Sequence, residues 1–310
     1  MGMRIFSQRQ RPFNFYVILV IACCLVPALV LGVYTMITFH AQERQVSERQ
    51  ILGVARAVSS TVDRSLEASL SALSVLSILQ TLRDGDIAGF YTSAEQVGRQ
   101  HRGWIVLCDK DSEPLFNTRE GYGAPVPRMI TNVSIIEALK TGKPQISNLF
   151  VNQSTGGYQI SAILPVIVEG QARYSLSLTV PAQEISTLLD GRRIASDWTV
   201  TVLDRAGKVI GRNHGLTDRL GQPVGSLLAA RMKETDEAVV EAAIPEGTPT
   251  YTGFTRSAFS GWSVVIAVPR NDLDKPFYDS LERVAISGIV LLCAGLAAAL
   301  AISRNMRRSM

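Results

Sequence analysis

The sequence predicts an α+β chain: two membrane-spanning helices flanking a long helix and two tandem α/β modules with antiparallel sheets. Three observations predict it. Uncharged apolar runs stand near both ends, a helical apolar stripe follows the first, and one strand–turn–strand pattern occurs twice between them.

The first run, Phe13 to Phe39, has 27 residues without a charge; the second, Val284 to Ser303, has 20. At about 1.5 Å per residue, either is long enough to cross a hydrocarbon core of about 30 Å as a helix. Pro27 is tolerated in a membrane helix and predicts a kink. The tip before the first run carries Arg4, Arg9 and Arg11, the tip after the second carries Arg304, Arg307 and Arg308, and neither has an acid. The residues between hold 25 basic and 27 acidic side chains, a net of −2 within a chain of net +4. By the positive-inside bias both tips (1–12 and 304–310) are cytoplasmic and residues 40–283 are exported. A cleaved export signal shares the basic start and apolar stretch, but this run exceeds a typical signal core and no small-residue cleavage motif ends it. Cys23, Cys24 and Cys293 fall in the apolar runs, which leaves Cys108 alone in the exported part. A lone cysteine forms no internal bridge and reads as a small buried hydrophobe on a strand.

From residue 41 to 82 the chain reads as one long helix. Ile51, Ala55, Val58, Val62, Leu66, Leu70, Leu73 and Leu76 recur at three- and four-residue steps, with Arg56, Asp63, Arg64 and Glu67 on other faces. Such a stripe is buried against its own domain, a second copy in a parallel homodimer, or both. Arg83-Asp84-Gly85 ends it, and Asp86 is placed to cap a helix whose buried face is Ile87, Phe90, Tyr91, Ala94 and Val97. Then the period changes. WIVLCD from Trp104 to Asp109 is a strand, residues 111–114 turn, and Leu115 to Thr118 returns. Val133 to Lys140 is a short helix. Strands follow at Gln145–Val151, Tyr158–Val168 and Ala172–Val180, the last two joined by a tight Glu169-Gly170 hairpin.

The pattern then recurs. WTVTVLD from Trp198 to Asp204 parallels Trp104 to Asp109, Gly221-Gln-Pro echoes Gly123-Ala-Pro, and strands close at Thr250–Arg256 and Trp262–Val268. The tryptophans are 94 residues apart, the size of one small module. One larger sheet is the alternative.

A long helix and two such units between membrane spans resemble the double-Cache sensor regions of bacterial receptors, built of PAS-like modules. The resemblance rests on Trp198 to Gly207 (WTVTVLDRAG), Gly261 to Pro269 (GWSVVIAVP), Leu115 to Arg119, Gly123-Ala-Pro125 and Thr141 to Pro144. It is nearest to alphaproteobacterial sensor histidine kinases of the HWE type. It implies a membrane-distal module at 83–190 that holds a small-molecule ligand, and a membrane-proximal module at 191–275 that relays its effect. It also implies a multi-pass protein of the bacterial inner membrane with a periplasmic sensor. The pocket is expected between the inner sheet face and the loop 120–128, with Asn117, Arg119, Tyr122, Arg128 and Tyr158 as ligand-binding candidates. Arginine forks suit carboxylates, so a small organic anion is the expected ligand. A solvated surface charge is the competing reading of each arginine, and ordinary packing that of each tyrosine. The amino-acid-binding Tyr-Arg-Trp-Tyr-Asp series of some of these sensors is not traceable here.

No catalytic constellation is present in the sequence. His40, His101 and His214 have no zinc-ligand spacing, and no nucleophile elbow or phosphate-cradling glycine loop occurs. No cofactor or metal is expected. The slightly acidic exported part with scattered basic residues argues against nucleic acid. Residues 304–310 hold neither a phosphoacceptor nor a nucleotide site, so the chain is expected to carry input without output. That output is a histidine kinase by resemblance, with a chemoreceptor or diguanylate cyclase as alternatives. A structural or regulatory subunit that binds a periplasmic protein is the runner-up. The topology is checked by reporter fusions. An exported reporter is active near Asp218 and a cytoplasmic one after Arg308; an exported signal at Arg308 contradicts two spans.

Overall fold

The computed structural model describes residues 13–126, 133–152, 156–190, 197–215, 219–243 and 247–308. It consists of two units, one of residues up to 47 and from 270 onward, the other of residues 48–269. Helix α1 (Phe13–Ser77) runs unbroken past Pro27, and the last helix, Arg270–Arg308, starts directly after the last strand. Among the described residues, no helix is long and apolar enough to cross a membrane. The side chains of residues 13–31 and of part of the second apolar run lie outside the described set, as do residues 1–12.

The unit 48–269 holds two antiparallel sheets. The first contains β1 (Trp104–Asp109), β2 (Pro114–Asn117), β3 (Gln145–Ile146), β4 (Phe150–Val151), β5 (Tyr158–Val168) and β6 (Gln171–Pro181), in the order β2-β1-β6-β5-β3 with β4 beside β5. The second contains β7 (Thr199–Leu203), β8 (Val209–Arg212), β9 (Glu237–Ala243), β10 (Pro249–Arg256) and β11 (Ser263–Pro269), in the order β8-β7-β11-β10-β9. With β4 set aside, the strand order is the same in both. The two-sheet reading therefore holds over the single larger sheet. Short helices accompany the sheets: α2 (Gln80–Arg83), α3 (Ile87–Gln100), α4 (Val133–Thr141), α5 (Gln183–Asp190) and α6 (Ser226–Glu234). Helix Arg270–Arg308 is α7.

The repeat extends to atoms. Asp109 Oδ1 accepts from the backbone N–H of Asp111 and Glu113, both at 2.9 Å. Asp204 Oδ1 accepts from Ala206 at 2.9 Å and Lys208 at 2.8 Å. Each carboxylate thus closes its own β-turn, which is why an aspartate ends each opening strand. Asp86 caps α3 by accepting from Gly89 N–H at 2.9 Å. Glu169 and Gly170 have φ of 52° and 81°, the paired left-handed conformations of a two-residue hairpin.

The stripe on α1 is buried within one chain. Ile51, Ala55, Val58, Val62, Leu66, Leu73 and Leu76 are all at most 5% exposed. Its start lies on the second sheet. A side chain at Gly253 of β10 would place its Cβ 2.4 Å from Ile51 Cγ2, so only glycine admits the helix there. Arg56 donates to Glu237 on β9, Nε to Oε2 at 2.8 Å, and this pair holds the Glu237 carboxyl below its usual range. Asp63 accepts from the Ser257 and Ser260 hydroxyls beyond β10, at 2.8 and 3.1 Å.

Five elements differ from the sequence reading. Helix α1 ends at Ser77 rather than Leu82, because Leu79 is extended (φ −62°, ψ 135°) and redirects the chain so that Leu82 is fully buried. The hydroxyls of Ser74 and Ser77 bond back to Leu70 O and Ser74 O, competing with the helical ladder at that end. The strand expected at Gln145–Val151 is split into β3 and β4. Between them, Leu149 N–H donates to Asp204 Oδ2 at 3.1 Å, and Ile146 O accepts from Arg205. Backbone groups that would extend a ladder are thus bound to the second module. Helices α5 and α6 and strand β9 also lie in stretches to which the sequence reading assigned no element.

Asp204 is 2% exposed and accepts three backbone N–H groups, one from the other module. Asp109 accepts two and is half-buried. In denaturant unfolding, Asp204→Ala is expected to cost about 3 kcal/mol and Asp109→Ala about 1 kcal/mol, since hydrogen bonds to a buried charge weigh most. Equal losses contradict this ranking.

Candidate functional site

Directly opposed residues of antiparallel strands point to one face, so registers define the inner face of the first sheet. Trp104, Val106 and Cys108 of β1 stand opposite Thr179, Ser177 and Ser175 of β6, which stand opposite Ser161, Ile163 and Pro165 of β5. Val106, Cys108 and Ile163 pack with Ile135 and Ala138 of α4. The face is part core and part hydroxyl ladder. Ser161 and Thr179 bond to each other at 2.7 Å. The hydroxyls of Ser175 and Ser177 are fully buried and have no hydrogen-bond partner among the described residues. Ser175 lies beside the Cys108 thiol without reaching hydrogen-bond geometry, and burial pushes that thiol up to about 12. Cys108 is therefore a packed, unreactive thiol at neutral pH.

Four of the five candidates from the sequence are described, and they do not converge. Asn117 ends β2 opposite Val106, and its side-chain Oδ1 accepts from the backbone N–H of Arg119 at 3.0 Å. The Arg119 guanidinium stacks on Trp104, 4.9 Å from the ring centroid. These two form one cluster. Tyr122 joins Tyr91 of α3 edge-to-face, with ring centroids 5.3 Å apart. Tyr91 in turn donates to Glu120 O at 2.6 Å, and its phenol is raised by burial and then by Glu95. Tyr158 lies elsewhere, against Gly221 of the second module, where a Cβ would come 2.6 Å from its ring. Arg128 lies outside the described residues.

A cavity of about 490 Å³ lies in the second module, between the inner face of its sheet and the segment leading into α6. The registers explain its position. Counting back five residues from each turn aspartate pairs Trp104 with Thr199, and counting forward eight pairs Asn117 with Arg212. Thr199, Thr201 and Leu203 thus take the places of Trp104, Val106 and Cys108, and the space an indole fills in the first module is open in the second. Arg212 lines this cavity and is 7% exposed. The sequence reading gives the second module a relay role, in which replacing Arg212 changes ligand binding little, and assigns it no ligand-binding residue. The signal available to it was the small Thr199 at the position of Trp104.

The fold is shared with solved bacterial sensor domains. An extracellular domain assigned to a histidine kinase, rpHK1S-Z16, aligns over 75% of this chain and 97% of its own, with a TM-score of 0.63 and 10% identity. The ligand-binding domain of the Pseudomonas aeruginosa PAO1 amino-acid chemoreceptor PctB, in complex with L-Arg, aligns over 74% and 97%, at 0.60 and 14%. That of the Campylobacter jejuni chemoreceptor Tlp3, in complex with L-valine, aligns over 76% and 97%, at 0.56 and 12%. No family model and no curated protein matches the sequence.

An unpaired buried hydroxyl costs about 1–3 kcal/mol, and removing it relieves that cost. Ser177→Ala is therefore expected to stabilise the chain without ligand by about 1 kcal/mol, whereas Ser161→Ala destabilises it by a similar amount. Loss of stability in Ser177→Ala would show that its hydroxyl is satisfied.

Proposed function

We propose that this chain is the exported ligand-sensing input region of a bacterial inner-membrane receptor. The observation that carries the proposal is the fold: two sheets of identical strand order behind a long helix, matching sensor domains along 97% of their length. In this reading helices at 13–39 and 284–303 cross the membrane and residues 40–283 are periplasmic. The distal module spans 83–190 and the proximal module 191–275. In this reading the receptor is a sensor histidine kinase of the HWE type, with a chemoreceptor or diguanylate cyclase as the alternative output.

The first module offers a small organic anion the Asn117–Arg119 cluster beside Trp104. Tyr122, Arg128 and Tyr158 stay in the proposed ligand-binding set, although Tyr158, at the start of β5, packs against Gly221 of the second module. The receptor works as a parallel homodimer along α1. Its contact uses the face left open by the buried stripe: Ala57, Arg64, Ala68, Ser71 and Val75, of which Val75 is 62% exposed. Val58, Val62 and Leu66 face the chain's own core and are not that contact. Single cysteines at Ala68, Ser71 and Val75 are thus expected to cross-link in membranes, and those at Val58 and Val62 are not.

Signalling requires a ligand to bind two positions of the second span with different affinity. Fusing residues 1–310 in register to a histidine-kinase output is expected to give phosphorylation that responds to a small organic anion. Constant activity in every register, across a panel of small acids, amines and sugars, would overturn the sensing reading.

A further inference from the structure

The cavity in the second module has no role in the reading above, in which that module only relays. We infer that it is a second ligand site, selective for a small apolar monocarboxylate; this inference rests on the sensing reading and deepens it. At about 490 Å³ the cavity falls within the size range of small-molecule sites. Its floor is built from core residues: Leu203 and Val265 line it, and both belong to the buried cluster under α6. Such a floor favours an apolar body.

Charge decides the rest. The lining includes Arg212 and Arg219 and contains no Asp or Glu among the described residues. A guanidinium presents a fork that matches a carboxylate, and burial strengthens that pairing relative to water. An amino acid would bring an ammonium group to a wall whose described residues include no carboxylate, which is costly to bury. The backbone at the start of α6 adds to the preference. Gly225 caps that helix without a side chain, and residues 225–228 line the cavity, so the positive end of α6 meets it. Thr199, Thr201, Gln222, Ser226 and Thr252 supply the remaining polar edge.

Position gives such a site a consequence. Thr252 faces the cavity, while Gly253, the next residue of β10, points to the other face and touches Ile51 of α1. One strand separates an occupant from the long helix. An occupant that shifts β10 acts on α1 directly, with no need of the first module.

The test uses the full chain in lipid nanodiscs, with hexanoate, hexanol, hexylamine and norleucine, which share one aliphatic chain and differ in charge. Calorimetry is expected to show hexanoate binding and the other three binding at least about tenfold more weakly, the loss for one charge-assisted hydrogen bond. Ala267→Leu, which fills the cavity, and Arg219→Gln, at a half-buried position, should each weaken hexanoate by about tenfold or more. Lys110→Ala, at an exposed turn position of the first module, should leave it unchanged. Absence of hexanoate binding at millimolar concentration overturns the proposal, as does hexanol binding as tightly as hexanoate. If Arg119→Ala abolishes binding while Ala267→Leu does not, the ligand sits in the first module; sensing then stands and this site falls.

Discussion

The carboxylate of Asp204 holds the arrangement of the two modules. It shapes the β7–β8 turn through Ala206 and Lys208 and also takes Leu149 N–H of the first module, all while 2% exposed. A buried charge is tolerable only when hydrogen-bonded, and here the partners come from both modules, so neither alone satisfies it. Arg205 extends the tie. It donates to Ile146 O and Asn148, and its side chain lies over Gly261, in the turn whose serines hold Asp63 of α1. Nearby, Arg212 N–H donates to Ser186 of α5 at 3.0 Å, and Gly211 meets Ile185 closely. The opening hairpin of the second module is therefore seated on the first module and, through one neighbouring turn, on the helix.

Features set by local chemistry were legible in the sequence. Asp86 as a cap, Asp109 and Asp204 as turn residues, the Glu169-Gly170 hairpin and the buried stripe on α1 each depend on neighbours a few residues away or on helical period. The split of β3 from β4 was not legible, because its cause is an aspartate 55 residues downstream. The helix break at Leu79 was also missed, since no proline or glycine marks it. The apolar face of α1 was read as wide enough for a second copy, but the second sheet itself covers its start through Ile51 and Gly253.

The candidate site was less legible, for a reason of register. Aligning the modules on Trp104 and Trp198 gives an offset of 94, whereas the turn aspartates and the strand pairing give 95. A one-residue slip in a strand exchanges its two faces. With the correct offset, Thr199 replaces Trp104, and the second module has open space where the first has an indole capped by Arg119. The same offset places Arg212 at the position of Asn117. One fold thus presents a hydroxyl-lined, filled face in one module and an arginine-lined cavity in the other.

The seating of one module on the other makes residues 48–269 a single mechanical body, and that is the claim on which any coupling from ligand to helix rests. Native-state hydrogen exchange on the full chain tests it most directly, because exchange resolves separately opening units. The account predicts that amides of Leu107 and Leu176 in the first sheet exchange with the same opening free energy as Val202 and Ile266 in the second. It further predicts that the two groups separate in Asp204→Ala. Different opening free energies for the two sheets in the unaltered chain would contradict it.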